Sequence, residues 1–386
     1  MKYDFETIVD RRNTNSIKWD VEASELPMWI ADMDFKVCPE IIQAMKEKLA
    51  LQAFGYEEAD REYFDAVIQW YEQVHNAHLE ADWMIFATGV IPALSSIVRR
   101  VSHVADNVLV QAPVYNIFYN SIENAGRHVI SSDLHYDGHS YSIDWNDLEE
   151  KLSLPLTTMM ILCNPHNPVG KVWTKDELEK ISALCEKHHV ILVSDEIHGD
   201  LIRHGVDYTP AFALKHHKQT ISLVSPSKTF NVAALHAATV IIPDKNLRQS
   251  VSRGLNSDEL AEPNLLAIPG TIAAYTQGKT WRDELIEQLN INFDYASSFI
   301  ADELPILKVV PGTATYLMWI DISKLNTDSA TLAEFLRKET GLIVSAGEVY
   351  RGNGPEFIRI NLACPLSLVK DGMNRLAKGV NKFVNK

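Results

Sequence analysis

The chain has 386 residues, of which 46% are hydrophobic, and its 36 basic and 51 acidic side chains give a formal net charge of −15. That is enough apolar material for two domains, while the acidic balance disfavours binding to nucleic acid or to an anionic membrane. The four cysteines have the spacing of neither a zinc site nor a disulfide framework, so we expect no metal and a reducing, cytoplasmic location. We also expect no signal peptide and no membrane helix, because no apolar run approaches the roughly 18 residues that a membrane helix needs.

The first 44 residues, taken in chain order, are irregular in pattern and rich in tryptophan, and we expect them to pack against the C-terminal part of the chain. Short apolar runs then alternate with helical patterns through the middle of the chain. Runs this short, without polar alternation, are typical of strands that are buried on both faces. The predicted strands are residues 108–111, 159–163, 190–193, 221–224 and 239–242.

One predicted helix has a clear start. Thr174 and Glu177 stand three residues apart, as in a capping box, where each side chain bonds the other residue's backbone N–H. The apolar residues that follow keep the spacing of one helix face: Leu178, Ile181, Leu184 and Cys185. Alternating strands and helices predict a mostly parallel sheet with helices on both faces, and ligands bind such sheets beyond the carboxyl ends of the strands.

The C-terminal part of the chain has a different pattern. Residues 281–304 form one long predicted helix, and strand-like stretches follow at 308–310 and 316–320. A further helix is expected from about Thr331, and a further strand at 357–362. This order of elements predicts a smaller α+β domain.

Four short motifs lie where such a fold places its chemistry. Residues 225–228, 194–198 and 164–170 each follow a predicted strand, so they should meet at one edge of the sheet. Residues 87–91 contain a glycine at the start of a helical pattern, where free N–H groups suit a phosphate. Each motif alone has an ordinary interpretation, as a surface lysine, a helix cap, a proline turn or a loop glycine. Their joint order makes one shared site the better interpretation.

Together these motifs resemble those of the fold-type I pyridoxal 5′-phosphate (PLP) enzymes in the class I/II aminotransferase group, over nearly the whole chain. Within that group the chain is most similar to the MalY/PatB-type carbon–sulfur lyases, also called cystathionine β-lyases. The narrower resemblance rests on residues 12–20 (RNTNSIKWD), 29–35 (WIADMDF), 194–198 (SDEIH) and 225–231 (SPSKTFN). General aminotransferases usually have a tyrosine at the position of His198 and lack the ADMDF stretch.

The resemblance implies an α/β fold with a large PLP-binding domain, whose mostly parallel seven-stranded sheet is flanked by helices, and a smaller α+β domain built from both termini. We place an N-terminal segment that joins the small domain at residues 1–44, the large domain at 45–280 and the small domain at 281–386. The resemblance also implies an amino-acid substrate and a homodimer with shared active sites.

The resemblance assigns the residues around the cofactor ring one by one. It implies that Lys228 forms a Schiff base with PLP and moves the α-proton of the substrate. Asp195 would pair with the pyridine nitrogen, keeping it protonated so that the ring accepts electrons. Asn167 would bond the ring hydroxyl, Tyr115 would stack on the ring, and His198 would lie beside the cofactor, where general aminotransferases usually have a tyrosine.

The phosphate is expected in a cup formed by Gly89, Val90, Ile91 and Ser225, and Tyr56 of the neighbouring subunit is expected to reach it. The arginine that often follows the PLP lysine is missing, so phosphate binding would depend on N–H groups, hydroxyls and His236. The substrate carboxylate is expected at Arg359, through two parallel hydrogen bonds, with Asn167 and the backbone at Ala31 alongside.

Three functions are compatible with these residues. We expect β-elimination of L-cystathionine or related cysteine S-conjugates to pyruvate, ammonia and a thiol. An aminotransferase is the alternative, because both reactions begin with loss of the same α-proton. A regulatory protein that binds a transcription factor through the same fold is the third, although an intact pair of Lys228 and Asp195 argues against a pure scaffold.

Overall fold

The computed structural model describes residues 2–385, and no helix in that range is long and apolar enough to cross a membrane. Residues 2–385 contain eleven α-helices: α1 (Pro39–Leu49), α2 (Arg61–His75), α3 (Val90–Val101), α4 (Asn116–Glu123), α5 (Trp145–Leu152), α6 (Lys175–Lys187), α7 (Lys245–Ser257), α8 (Ala267–Gln277), α9 (Lys279–Glu303), α10 (Ser329–Thr340) and α11 (Leu366–Val384). The same range contains fifteen strands: β1 (Leu26–Pro27), β2 (Met84–Ala87), β3 (Asn107–Val110), β4 (His128–Ser131), β5 (His135–Tyr136), β6 (Tyr141–Ser142), β7 (Thr157–Cys163), β8 (Ile191–Asp195), β9 (Thr220–Val224), β10 (Ala238–Ile241), β11 (Lys308–Val309), β12 (Leu317–Asp321), β13 (Leu342–Ile343), β14 (Ser345–Ala346) and β15 (Phe357–Asn361).

Seven of the strands described in residues 2–385 form one sheet, in the order β2–β10–β9–β8–β7–β3–β4. Strand β10 runs antiparallel to both of its neighbours, and the other six strands run parallel to one another. The expected α/β fold with a mostly parallel seven-stranded sheet is therefore confirmed.

Both faces of this sheet are covered. In β7, Met159 and Ile161 pack in a core that includes residues of α3, α4 and α7. Met160 and Leu162, which point the other way because side chains alternate along a strand, pack in a second core with residues of α5 and α6. Burial on both faces is the physical reason that this strand is an uninterrupted apolar run.

All five predicted strands of the sheet are confirmed, with ends within two residues of the predicted ones. The two strands of the sheet that were not predicted, β2 and β4, are its edges. Both have four residues, and β4 carries an exposed histidine and a partly exposed serine, so an apolar run does not mark it. The capping box is confirmed as well, since Thr174 and Glu177 each bond the other's backbone N–H at the start of α6.

The C-terminal elements follow the prediction closely. Helix α9 covers the predicted long helix, and β11, β12 and β15 form a four-stranded antiparallel sheet with β14, which was not predicted separately. Helix α10 begins two residues before the expected Thr331, because Asp328 accepts the N–H of Thr331 as its cap. Side chains of α9, α10 and α11 cover this sheet in a core of their own.

The N-terminal segment contacts both parts of the structure. Its strand β1 pairs in parallel with β13, and Trp19 and Met28 are buried in the C-terminal core. Phe5 and Phe35 pack instead in the core that contains residues of α2 and α8, and Phe5 lies 5.5 Å from Trp281 between ring centroids. The division of the chain at residues 44 and 280 remains a prediction.

Candidate active site

The carboxyl ends of the parallel strands bring the sequence motifs to one edge of the sheet. Strand β7 ends at Cys163, paired with Asp195 at the end of β8, and Asp195 is in turn paired with Leu223 of β9. The residues that follow β7, β8 and β9 are 164–170, 196–198 and 225–228, so these three motifs share one edge, as the order of the strands predicted.

Lys228 lies partly buried at this edge. Its Nζ donates a hydrogen bond of 2.5 Å to the backbone oxygen of Ala31. Burial lowers the pKa of the Lys228 amine to about 8, and the charge of Arg359 acts in the same direction, while Asp32 and Asp195 oppose it. A lysine with a pKa lowered in this way spends part of its time as a neutral amine near pH 7, which makes it a candidate base or nucleophile.

Asp195 is a buried carboxylate without a basic partner. One of its oxygens accepts the N–H of Ile197 at 3.1 Å, and it forms no ion pair with a lysine or arginine within residues 2–385. Burial raises the pKa of Asp195 to about 6. Such a carboxylate suits a protonated ring nitrogen, whose positive charge would offset the cost of burying the negative one.

Asn167 and Arg359 are in direct contact. The Nη1 atom of Arg359 donates to Oδ1 of Asn167 at 3.0 Å, and its Nη2 donates to the backbone oxygen of Trp29 at 3.1 Å. The guanidinium carbon lies 5.0 Å from the ring centroid of Tyr350, and the buried Nε has no partner within the described residues. Arg359 therefore keeps donor capacity for a further acceptor, as binding of a carboxylate requires.

The predicted phosphate cup lies at the start of α3. Gly89 is the N-cap residue, with φ of +140°, and a Cβ added there would come within 3.2 Å of Pro92 Cδ. Val90 and Ile91 begin the helix, so their N–H groups are among the first in it, which lack partners inside the helix. The Ser225 hydroxyl donates to the backbone oxygen of Ala237 at 2.6 Å, so it would have to rotate to donate to a phosphate.

His198 and Tyr115 differ in their surroundings. His198 is buried, its Nδ1 has no partner within residues 2–385, and its ring centroid lies 6.0 Å from that of Tyr316. Burial lowers the pKa of His198 to about 3, so its imidazole is neutral. Tyr115 precedes α4 and lines the cleft, and burial raises its pKa to about 12. His236 is exposed and in the left-handed conformation.

An open cleft of about 1460 Å³ lies at Lys228, which is the one residue of the four motifs in its lining. Lys228, Arg359, Tyr115 and Ala31 are among the side chains and backbone that line it. Tyr56 lies elsewhere: its side chain is 98% exposed, and Leu51 and Phe54 nearby are exposed too. No group of three or more His, Cys, Asp or Glu residues that could hold a metal ion occurs within residues 2–385.

Sequence reasoning missed the residues that hold the backbone of residues 29–33, which we call the strap. Tyr316 donates to the backbone oxygen of Ala31 at 2.9 Å, beside Lys228. Asn361 and Asn231 hold neighbouring carbonyl groups of the strap. A signal was present for one part, because the WIADMDF stretch stood out as a family feature, but no pattern linked it to residues about 200 and 330 positions away.

Two basic side chains lie under the strap and its C-terminal continuation. Lys18 Nζ donates to Asp34 at 2.7 Å and to the backbone oxygen of Asp32 at 3.1 Å. Arg11 pairs with Asp32 at 2.8 Å, and the indole N–H of Trp19 donates to Asp34 at 2.6 Å. The RNTNSIKWD and ADMDF stretches thus contact each other, which explains physically why they occur together.

Comparison with known proteins identifies the family. Residues 27–376 match the family Aminotransferase class I and II. The chain belongs to this family. Cystathionine β-lyase PatB of Bacillus subtilis is 39% identical to it over 380 residues, which are 96% of this chain and 98% of PatB. Protein MalY of Escherichia coli is 34% identical over 391 residues, which are 99% of this chain and 98% of MalY.

A solved structure also matches over nearly the whole chain. The crystal structure of cystalysin from Treponema denticola, which contains a pyridoxal 5′-phosphate cofactor, has a TM-score of 0.96 and 32% identity, over 99% of this chain and 100% of that one. The resemblance inferred from the sequence, to class I/II aminotransferases and within them to the MalY/PatB type, is confirmed.

Proposed function

We propose that this protein is a PLP-dependent carbon–sulfur β-lyase, which converts L-cystathionine or a related cysteine S-conjugate to pyruvate, ammonia and a thiol. The observation that carries the reaction type is the similarity to cystathionine β-lyase PatB along 96% of the chain. The cleft supports it independently, because the Lys228 amine and the Arg359 guanidinium line the same space.

The buried polar groups fit a PLP cofactor. We assign Lys228 as the lysine that carries it, Asp195 as the partner of its ring nitrogen, and Asn167, Tyr115 and His198 as its other ring neighbours. The unpaired Asp195 carboxylate and the unpartnered Nδ1 of His198 are the buried atoms that a polar cofactor would satisfy. When bound, PLP accepts the electron pair left at the substrate Cα after the α-proton is lost.

The phosphate group would lie at the start of α3. The N–H groups of Val90 and Ile91, and the glycine at position 89 that leaves room beside Pro92, form an anion site of the kind found at helix N-termini. Ser225 joins this group only if its hydroxyl turns away from Ala237. His236 is exposed rather than buried in the site, so we assign it a smaller part in binding the phosphate.

The chain's own residues supply substrate binding and proton transfer. Arg359 would bind the substrate carboxylate, with Asn167 and the backbone at Ala31 on either side. Lys228, whose pKa burial lowers to about 8, would remove the α-proton in its neutral form. Its contact with the Ala31 carbonyl places the amine beside the segment that would close over the substrate.

Product analysis tests the reaction type. The purified protein is incubated with L-cystathionine and PLP, with and without an added keto acid acceptor, and the products are quantified. Pyruvate, ammonia and free thiol in equal amounts, without the acceptor, support the lyase. A keto acid that keeps the whole side chain, formed only with the acceptor, would instead make the protein an aminotransferase.

We also propose a homodimer in which Tyr56 reaches the phosphate site of the neighbouring subunit. Tyr56 is 98% exposed, and Leu51 and Phe54 expose apolar side chains next to it. A cluster of this kind is typical of a surface that another protein surface covers. The same proposal includes a cytoplasmic location, supported by four cysteines that are all buried and free.

The domain division at residues 44 and 280 is part of this proposal. It is supported by the separate core of α9, α10 and α11 and by the pairing of β1 with β13. Phe5 and Phe35 pack in the other core, so the N-terminal segment would connect the two domains rather than belong to one. Limited proteolysis tests this division, since cleavage is expected in exposed linkers between domains.

A further inference from the structure

The strap has an unusual pattern of hydrogen bonds. Side-chain donors bind every one of its five consecutive backbone carbonyls. The donors are Arg359 and Ser345 to Trp29, Asn361 to Ile30, Lys228 and Tyr316 to Ala31, Asn361 and Lys18 to Asp32, and Arg11 and Asn231 to Met33. Side chains from both the N-terminal and the C-terminal parts of the chain thus hold this irregular segment. In a regular strand, backbone pairing would do the same.

The N–H groups of the strap differ from its carbonyls in their hydrogen bonding. Those of Ile30, Ala31 and Asp32 donate to no acceptor within residues 2–385, although the N–H of Met33 donates to Asn231. All three residues line the cleft that also contains Arg359. Unpaired backbone donors beside a guanidinium favour an anionic ligand, which supplies the missing acceptors.

Asn361 is the side chain that fixes the direction of one of these donors. Its Nδ2 donates to the oxygens of Ile30 and Asp32, each at 2.6 Å, and its Oδ1 accepts the N–H of Ala363 at 2.8 Å. Asn361 is 1% exposed, so its polar atoms are held by these three bonds. Its two donor hydrogens and its acceptor are therefore all committed to holding the backbone.

Because a peptide bond is planar, this contact also determines the direction of the N–H group of Ala31. Every cis peptide bond within the described part of the chain precedes a proline, so the bond between Ile30 and Ala31 is trans. In a planar trans peptide the C=O of one residue and the N–H of the next point in opposite directions. Because Asn361 binds the Ile30 oxygen, the N–H of Ala31 must point away from Asn361.

We propose that Asn361 is a positioning residue, which aims the N–H of Ala31 at the substrate carboxylate that Arg359 binds. This inference rests on the proposed amino-acid substrate. Arg359 and Asn361 are two residues apart on β15, so both side chains leave the same face of that strand. One strand thus supplies the cationic ligand of the carboxylate and the group that orients its backbone ligand.

Binding of a carboxylate and of its neutral amide separates positioning from general stability. L-Alanine and L-alaninamide are titrated into the holoenzyme, and binding is followed by the absorbance of the cofactor. We expect Asn361→Ala to weaken L-alanine binding about 10- to 100-fold and L-alaninamide binding less than about threefold, because a correctly aimed donor contributes most to a charged acceptor. Alanine has no leaving group at Cβ, so the result does not depend on β-elimination.

The chain offers a matched control at Asn292 of α9. Its Nδ2 also bridges two carbonyls, those of Leu362 and Cys364, each at 2.8 Å, and it is fully buried but does not line the cleft. Asn292→Ala should lower the unfolding temperature as Asn361→Ala does, while leaving the preference for L-alanine over L-alaninamide unchanged. Equal weakening of both ligands in Asn361→Ala, or weakening of neither, would overturn the proposal.

A second variant covers the case in which Asn361→Ala does not fold. Asn361→Asp keeps the size of the side chain and its acceptor for Ala363, but it replaces the donor by an oxygen that faces two carbonyls. The same selective loss of L-alanine binding is expected. If neither variant folds with its cofactor, Asn361 serves stability alone and the proposal is wrong. Failure of the lyase proposal looks different, because it would show as absent pyruvate with ligand selectivity intact.

Discussion

The Nζ atom of Lys228 lies 2.5 Å from the backbone oxygen of Ala31, which links the proposed cofactor lysine to the segment proposed to close over the substrate. Tyr316 donates to the same oxygen at 2.9 Å, so that carbonyl holds two side chains from distant parts of the chain. Lys228 is partly buried, and desolvation lowers its pKa to about 8. The charge on this amine therefore depends on pH in the range where the protein is studied.

The rate at which the apoprotein takes up PLP should depend on the charge of the Lys228 amine. We expect the uptake rate to rise about tenfold per pH unit below pH ~7.5 and to level off above pH ~8.5, because the neutral amine is the reactive form. Stopped-flow absorbance measures this rate. In Arg359→Met the rise should move to higher pH, because the removed cation no longer depresses the pKa of Lys228. A rate that does not change between pH ~6.5 and ~8.5 would contradict the assignment.

Asp195 should make the apoprotein less stable as pH rises. Burial raises its pKa to about 6, so the folded protein holds this proton more tightly than the unfolded chain does. The stabilising effect is then complete below the unfolded pKa and is lost as pH rises through about 6. We expect Asp195→Asn apoprotein to be more stable than wild type by roughly 2–3 kcal/mol above pH ~6.5, and equally stable below pH ~4.

Urea unfolding at several pH values measures this difference. Burial also raises the pKa of Glu196 to about 7, but that carboxyl is present in both proteins and cancels in the comparison. PLP should reverse the order, because its ring nitrogen gives Asp195 a cationic partner that asparagine cannot match. A difference between the two apoproteins that is the same at pH ~4 and pH ~7 would show that the Asp195 carboxyl is not the cause.

Mixing two inactive variants tests the shared site. If Tyr56 serves the neighbouring subunit, a heterodimer of Lys228→Ala and Tyr56→Ala has one site with both defects and one intact site. Random exchange of equal amounts should then restore about a quarter of wild-type activity, because half of the dimers are mixed and half of their sites work. If Tyr56 acts within its own subunit, or the protein is a monomer, mixing restores nothing.

The pair of Lys18 and Asp34 should contribute more to stability than an exposed ion pair does. Lys18 is 1% exposed, and its 2.7 Å bond to Asp34 lies under the strap. We expect Lys18→Met to lower the free energy of unfolding by about 3–5 kcal/mol, because the buried Asp34 carboxylate loses its lysine partner. Lys36→Met is the matched control: its 2.7 Å pair with Asp4 is exposed, so a loss of at most about 1 kcal/mol is expected. Equal losses in the two variants would contradict this account.

Burial explains which elements were predictable from the sequence. The inner strands β3, β7, β8, β9 and β10 are apolar runs because helices cover both faces of the sheet, and all five were predicted. The edge strands β2 and β4 were missed, and β4 has no buried side chain and therefore no apolar run. Strand β2 (MIFA) is entirely apolar and was missed although its pattern is like that of the inner strands.

The residues of the site also divide into those that the sequence could predict and those that it could not. Lys228, Asp195 and Asn167 follow buried strands, so the sequence could place them at one edge of the sheet. Tyr316, Asn231 and Asn361 hold the strap through hydrogen bonds to its backbone, and backbone acceptors are the same in every residue. No sequence pattern marks such contacts, so only the folded chain reveals them.

The most direct test of the account is to locate the cofactor on the chain. The holoenzyme is reduced with borohydride, which fixes a lysine-bound PLP as a stable amine, and its peptides are then mapped by mass spectrometry. We predict that the added mass lies on Lys228 and that Lys228→Ala carries none. A label on a different lysine, or a coloured holoenzyme in which Lys228 stays unmodified after reduction, would contradict the proposed site.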